Sequence, residues 1–167
     1  MEIRPIRSEE AMEAKRLIYQ VAHELMEPQM SLEEVTALWD SWGVFNDLDD
    51  IQGSYGENDG VFLVAVDGEK IIGTGAFYRY AGKVCEIKRI ALLPGYQGQG
   101  LGYAIMRELT RRAQEVGYRK MCLWTNRYKL ARAVEFYKRL GFYEIPHEGQ
   151  DDDEIWMEKE VAGDRTS

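Results

Sequence analysis

The segment Leu92-Leu93-Pro94-Gly95-Tyr96-Gln97-Gly98-Gln99-Gly100-Leu101-Gly102 constrains this chain most, because it joins a strand-like run to a helix-like run through a loop rich in glycine. Glycine adopts positive φ without strain and lets a ligand approach the backbone closely. Successive N–H groups at a helix start form an anion cradle, and the helix dipole adds roughly half a positive charge there. A phosphate group is the natural guest, although a glycine-rich turn that binds nothing is the plain alternative.

Two familiar phosphate loops do not fit. A nucleotide P-loop needs Lys and Ser/Thr after its last glycine, and here Tyr103 and Ala104 follow Gly102. A dinucleotide loop starting at Gly98 needs a sixth-position glycine, and that position is Tyr103.

The flanking pattern reads as one α/β domain over residues 1–161, with the tail 162–167 expected to fray. Residues 2–7 alternate as a strand, and Ser8 is placed to cap the next helix, which carries Ala14, Leu17, Ile18, Val21, Ala22 and Leu25. Pro28 closes that run, and Ser31 with Glu34 makes a capping-box pattern for a second helix bearing Leu32, Val35, Leu38 and Trp39. Residues 43–60 are polar and turn-rich and read as a loop. Strands at 61–66, 70–80 and 84–93 follow as a meander, with turns at Asp67-Gly68 and Ala81-Gly82-Lys83. A helix spans about 100–116, with Leu101, Ile105, Leu109 and Val116 inward and Gly117 at its end. A strand at 120–125, a helix at 130–140, a short strand at 142–145 and a last strand at 154–160 complete the order β-α-α-β-β-β-α-β-α-β-β. A meander followed by helix crossovers predicts a mixed central β-sheet flanked by helices.

Composition narrows the function. The net charge of −8 argues against nucleic acid as a partner and suits a cationic one, although solubility alone also accounts for it. No apolar run is long enough to span a bilayer and no signal-peptide pattern opens the chain, so no membrane partner and a cytoplasmic location are expected. Cys85 and Cys122 sit in apolar strands, as small buried hydrophobes do. His23 and His147 show no metal-ligand spacing, so no metal is expected.

Residues 86–102 resemble motif A of the GNAT N-acetyltransferase superfamily, through Gln97, Gly100 and Gly102 of its Gln/Arg-x-x-Gly-x-Gly/Ala loop. The run ARAVEFYKRLGFYE resembles motif B, through Phe136-Tyr137 and Gly141-Phe142. The resemblance implies a GNAT fold with a bulge that splays the strand before the loop from its parallel neighbour. It implies acetyl-CoA as co-substrate, with the pantetheine arm on backbone groups of Ile90, Ala91 and Leu92. The diphosphate is then expected around Gln97, Gly98, Gln99, Gly100, Leu101, Gly102 and Tyr103.

For chemistry, the resemblance implies Tyr137 as the general acid and Glu86 as the base, directly or through water. Their alternatives are a core aromatic on the face of Leu130, Ala133 and Val134, and an ion pair of Glu86 with Lys88 or Arg89. Strand alternation places Glu86, Lys88, Ile90 and Leu92 on one face. Asn126 is expected either to bond the cofactor or to shape a turn. The acceptor is expected to be a small-molecule amine or a peptide, met by the second helix and 43–60. There Glu33, Glu34, Asp47, Asp49 and Asp50 are candidate attractors, and Trp39, Trp42, Phe45 and Tyr55 candidate walls, each otherwise core or surface. A homodimer is compatible with all of this. A catalytically silent acyl-CoA-binding module is the alternative function.

Overall fold

The computed structural model describes residues 1–149 and 151–161. The expected frayed tail, 162–167, lies outside them. In chain order come β1 (Glu2–Pro5), α1 (Ala11–Met26), α2 (Leu32–Trp42), α3 (Ile51–Ser54), β2 (Val61–Asp67), β3 (Lys70–Ala81) and β4 (Val84–Leu92). Then follow α4 (Leu101–Val116), β5 (Lys120–Asn126), α5 (Ala131–Arg139), β6 (Tyr143–Ile145) and β7 (Glu154–Glu160). The seven strands form one sheet in the order β1-β2-β3-β4-β5-β7-β6. Only the β4–β5 pair among them is parallel, because α4 carries the chain back across the sheet.

Each face of the sheet is a separate core. On one, Ile105 and Leu109 of α4 and Val134 and Tyr137 of α5 pack on Phe77, Ile87 and Met157. On the other, Leu17 and Val21 of α1 and Val35 and Trp39 of α2 pack on Phe62, Val64 and Ala76. Full burial of one such aliphatic side chain contributes about 1.5–3 kcal/mol. Gly75 makes the first of these contacts close: a Cβ there would lie 2.5 Å from Cγ2 of Ile105 and 2.9 Å from Cδ1 of Ile90.

Several local expectations change. Ser8 does not cap α1; its hydroxyl points to the Glu9 carboxylate at 3.4 Å, while the Glu10 carboxylate accepts from the Arg7 N–H at 2.8 Å. Arg4 grips the same carboxylate at 2.7 Å, which holds Glu10 down to about 2. Ser31 does cap α2, accepting from the Glu34 N–H at 3.1 Å. Leu25, Leu32 and Val116 are exposed, and Ala113 takes the inner position expected of Val116.

Residues 43–60 are not a plain loop. They form α3 flanked by 3-10 turns at Asn46–Asp49 and Gly56–Asn58. Phe45, Leu48 and Tyr55 are buried at near-helical spacing, so three apolar anchors order a segment whose remaining residues are polar.

Candidate active site

β4 carries an extra residue where it crosses β3. Thr74 and Ala76 are two apart, but their partners Ala91 and Lys88 are three apart. Arg89 takes up the difference with a left-handed φ of +59°, a sharp bulge for a residue with a Cβ. The Thr74 hydroxyl bonds the Arg89 carbonyl at 2.7 Å.

The bulge reverses side-chain parity. Glu86 lies with the α1/α2 side of the sheet, whereas Ile90 and Leu92 pack into the α4/α5 core with Cys85 and Ile87. The single face expected for Glu86, Lys88, Ile90 and Leu92 is therefore split at Arg89. Alternation fails because one inserted residue shifts a period of two by half a cycle.

The bulge coincides with an opening. β4 and β5 pair at Val84–Lys120, Cys85–Met121 and Glu86–Cys122, then part company, although β4 continues to Leu92 and β5 to Asn126. The Leu93 N–H donates to the Ile72 carbonyl at 3.0 Å, so Gly73–Leu92 is a non-hydrogen-bonded pair. The N–H and C=O of Leu92 consequently point away from β3 into the gap. Alternation gives Ile90 the same direction and turns the groups of Ala91 back towards Thr74, which separates the three residues expected to act together.

At the wide end of the gap stands the N-terminus of α4. Gly98 and Gly100 have φ of +76° and +84°. No side chain caps this helix, and no acceptor among the described residues meets the N–H groups of Gly100, Leu101, Gly102 and Tyr103. These are the donors that a helix start leaves open. Gln97 Nε2 bonds the Leu92 carbonyl at 3.1 Å and Gln99 Nε2 the Gly95 carbonyl at 3.2 Å, so both glutamines shape the loop. Gly102 is buried where a Cβ would lie 3.3 Å from the Phe136 ring, and the Tyr103 ring packs edge-on against Phe136.

Glu86 and Tyr137 stand on opposite faces of the sheet. Glu86 is 3% exposed at the apex of the gap and accepts from the Tyr78 hydroxyl at 2.8 Å. It forms no ion pair with Lys88 or Arg89: Lys88 Nζ sits 5.8 Å from the Tyr78 ring centre, and Arg89 binds Asp47. Tyr137 is buried between Phe136 and Phe142, and burial raises its phenol above the ordinary range. Its hydroxyl has no hydrogen bond to the described residues. Asn126 shapes a turn, its Oδ1 accepting from the N–H groups of Tyr128 at 3.0 Å and Lys129 at 2.8 Å.

The acidic residues of 47–50 turn inward or sideways. Asp47 pairs with Arg89, Asp49 with Lys15 at 2.6 Å, and Asp50 caps α3 through the Gly53 N–H at 3.0 Å. Each thus has a partner within the protein, and the Asp49 side chain stays 59% exposed. Trp39, Phe45 and Tyr55 are core, and Trp42 is 67% exposed. The side chains that sequence reading missed are Tyr78, Tyr80, Trp124 and Trp156; Tyr78 and Tyr80 carried a signal, two aromatics at alternate positions of one strand, whereas Trp124 and Trp156 are each the only aromatic of their strands. Cys85 and Cys122 are buried, and desolvation pushes both thiols up to about 12. Among the described residues, no group of three or more His, Cys, Asp or Glu side chains is arranged to hold a metal ion, and no helix is long and apolar enough to cross a membrane.

A bulged strand parting from its parallel neighbour beside an uncapped helix start defines an acyltransferase-type fold, and the comparisons agree. The profile of the Acetyltransferase (GNAT) family matches residues 15–142, and the chain belongs to that family. It is 26% identical over 121 residues to the uncharacterized N-acetyltransferase YjgM of Escherichia coli, covering 68% of this chain and 72% of that one. It is 34% identical over 90 residues to an uncharacterized N-acetyltransferase of Schizosaccharomyces pombe, covering 53% and 55%. Among solved structures, a GNAT-family acetyltransferase from Staphylococcus aureus superposes with a TM-score of 0.81 at 18% identity, over 96% of this chain and 98% of that one. The PaiA N-acetyltransferase of Thermoplasma acidophilum, solved with coenzyme A, gives 0.76 at 21% identity, over 95% and 98%.

Proposed function

We propose that this protein transfers an acetyl group from acetyl-CoA to a primary amine, by direct attack within a ternary complex. The observation that carries the reading is the set of unclaimed N–H groups at Gly100–Tyr103, opening beside strands that stop pairing at Glu86–Cys122. A diphosphate satisfies such donors and gains from the helix dipole. A pantetheine arm bears amides, which suit the free backbone edge at Ile90 and Leu92. The coenzyme A complex of the Thermoplasma protein supports the same choice of ligand.

The chemistry follows from where charge develops. The amine arrives as an ammonium and must lose a proton; Glu86 takes it, directly or through water. Nitrogen then bonds the carbonyl carbon, and the Leu92 N–H, which points into the gap, donates to the resulting oxyanion. The C–S bond breaks, Tyr137 gives its proton to the departing thiolate, and the nitrogen releases its second proton to solvent, from which the phenol is reprotonated. Burial keeps the phenol protonated for that step.

Calorimetric titration with acetyl-CoA, followed by thiol-release assays over amines and peptides, tests the reading. Binding with amine-dependent thiol release is expected. Binding without release on any amine points instead to a silent acyl-CoA-binding module, and no binding overturns both.

A further inference from the structure

α1 packs on β3 and β4. Further along the same face, over β5 and β7, lies an aromatic cluster. Trp124 of β5 pairs directly with Trp156 of β7, their ring centres 6.3 Å apart. Tyr80 reaches across from β3 to within 6.1 Å of Trp156, and His147 stacks flat on the same indole at 3.8 Å. Trp124 is 48% exposed and Tyr80 46%, far more than a packed core ring. The Trp156 Nε1 is buried with no acceptor among the described residues.

The cluster adjoins Glu86. Cys122 is the β5 partner of Glu86, and Trp124 is two residues further on the same face, about 7 Å along the strand. Glu158, also on this face, is already held by Lys120 at 3.3 Å and the Tyr143 hydroxyl at 2.8 Å. Among the described residues, Glu86 has only the Tyr78 hydroxyl. The carboxylates that would draw a polycation, Asp47 and Asp49, are paired with Arg89 and Lys15.

We propose that the acceptor is a monoamine carried two or three carbons from an aromatic ring, its ammonium at Glu86 and its ring on Trp124 and Tyr80. This rests on the acetyl-transfer reading and deepens it. Trp124 lies one strand across and two residues along from Glu86, at least roughly 8 Å between backbones, so side chains reaching towards each other leave room for a short-chain aryl amine between them, and aromatic faces favour both the ring and its cation. A polyamine or aminoglycoside would meet an apolar wall that strips its remaining polar groups of water.

The test compares 2-phenylethylamine and tryptamine with spermidine and kanamycin in thiol-release assays with acetyl-CoA. The aryl amines should show kcat/KM at least roughly tenfold higher, and Trp124→Ala should raise the tryptamine KM about tenfold with kcat within about twofold. Tyr80→Ala, a second exposed site, should act in the same direction. Preference for spermidine or kanamycin, or an unchanged KM in both variants, overturns the proposal. If acetyl-CoA binds but no amine releases thiol, transfer itself fails. Calorimetry of tryptamine on the coenzyme A-loaded protein then decides: binding weakened by Trp124→Ala sustains the aromatic site, and no binding overturns it. A dimer that sedimentation shows dissolving on Trp124→Ala also overturns it, since a second copy would then be what covers the rings.

Discussion

The guanidinium of Arg89 meets the carboxylate of Asp47 through two hydrogen bonds, with Nε at 2.9 Å and Nη2 at 2.5 Å. Arg89 is the bulge residue of β4, and Asp47 belongs to the segment before α3. The pair therefore links the backbone distortion that opens the cleft to the short helical turns between α2 and β2. Phe45 lies 4.6 Å under the guanidinium, and the Tyr55 hydroxyl donates to Asp47 at 2.5 Å. A non-glycine residue in left-handed backbone is costly by about 1–2 kcal/mol, and these side-chain contacts offset it.

Removing one partner strands the other in a largely buried site. Asp47→Ala should cost about 2–3 kcal/mol in chemical denaturation, at the low end for a buried pair because both side chains keep some solvent contact. Burial opposes the charge on Asp47, but the hydrogen bonds and positive charge of Arg89 outweigh it and hold the carboxyl below its usual range. The folded value is thus lower than the unfolded one. The stabilisation is complete above the unfolded value and is lost as pH falls through the folded value. Wild type should therefore lose thermal stability on acidification more steeply than Asp47→Asn, and equal slopes would count against the pair.

How much of this was legible beforehand depends on range. The strands, α4 and α5 were readable because their periodicity is local and their ends carry glycine or turn residues, as Gly117 does at the end of α4 with φ +105°. The glycine loop was readable for the same reason. Arg89 was not, because nothing in VCEIKRIALL marks which residue will be inserted against β3; the Asp47 side chain that settles it lies 42 positions away. Asn126 had two readings, and its part in the turn shows only in the distances to Tyr128 and Lys129. Tyr80 and Trp156 meet across two intervening strands, a relation that strand order creates and no window of sequence contains.

Glu86 offers a kinetic test. With the base role, Glu86→Gln should lower kcat/KM by roughly 10²-fold and flatten the acidic limb of its pH profile. Its carboxylate contacts one hydroxyl, and an amide oxygen can accept that same bond from Tyr78, so folding should change little. A variant that keeps the wild-type pH profile removes Glu86 from proton transfer.

Tyr137 requires separating packing from chemistry. Its ring lies among Phe136 and Phe142, so Tyr137→Phe keeps the apolar contacts and deletes a hydroxyl with no partner among the described residues. Stability should be unchanged or slightly higher, because no buried hydrogen bond is lost. Turnover should fall by about 10²-fold if the phenol protonates the leaving thiolate. Substrates with a more acidic leaving thiol should recover much of that loss, whereas a purely structural tyrosine would give no such dependence.

Gly100 tests the anion cradle itself. Its φ of +84° opens α4, and a Cβ there would meet nothing within 4 Å, so Gly100→Ala introduces backbone strain without a clash. The strained turn costs about 1 kcal/mol in the folded protein. It has a second consequence, because relaxing φ towards negative values rotates the peptide that aims the Leu101 and Gly102 N–H groups. Acetyl-CoA affinity should therefore drop roughly tenfold or more by calorimetry, each charge-assisted hydrogen bond being worth about 1.5–3 kcal/mol. S-acetylpantetheine, which lacks the diphosphate, should bind wild type and variant with little difference. Gly75→Ala is the control: it disturbs the contact with Ile105 and costs stability by overpacking, yet leaves the N–H groups at Gly100–Tyr103 in place. If Gly100→Ala binds acetyl-CoA as tightly as wild type, the diphosphate does not sit on these amides.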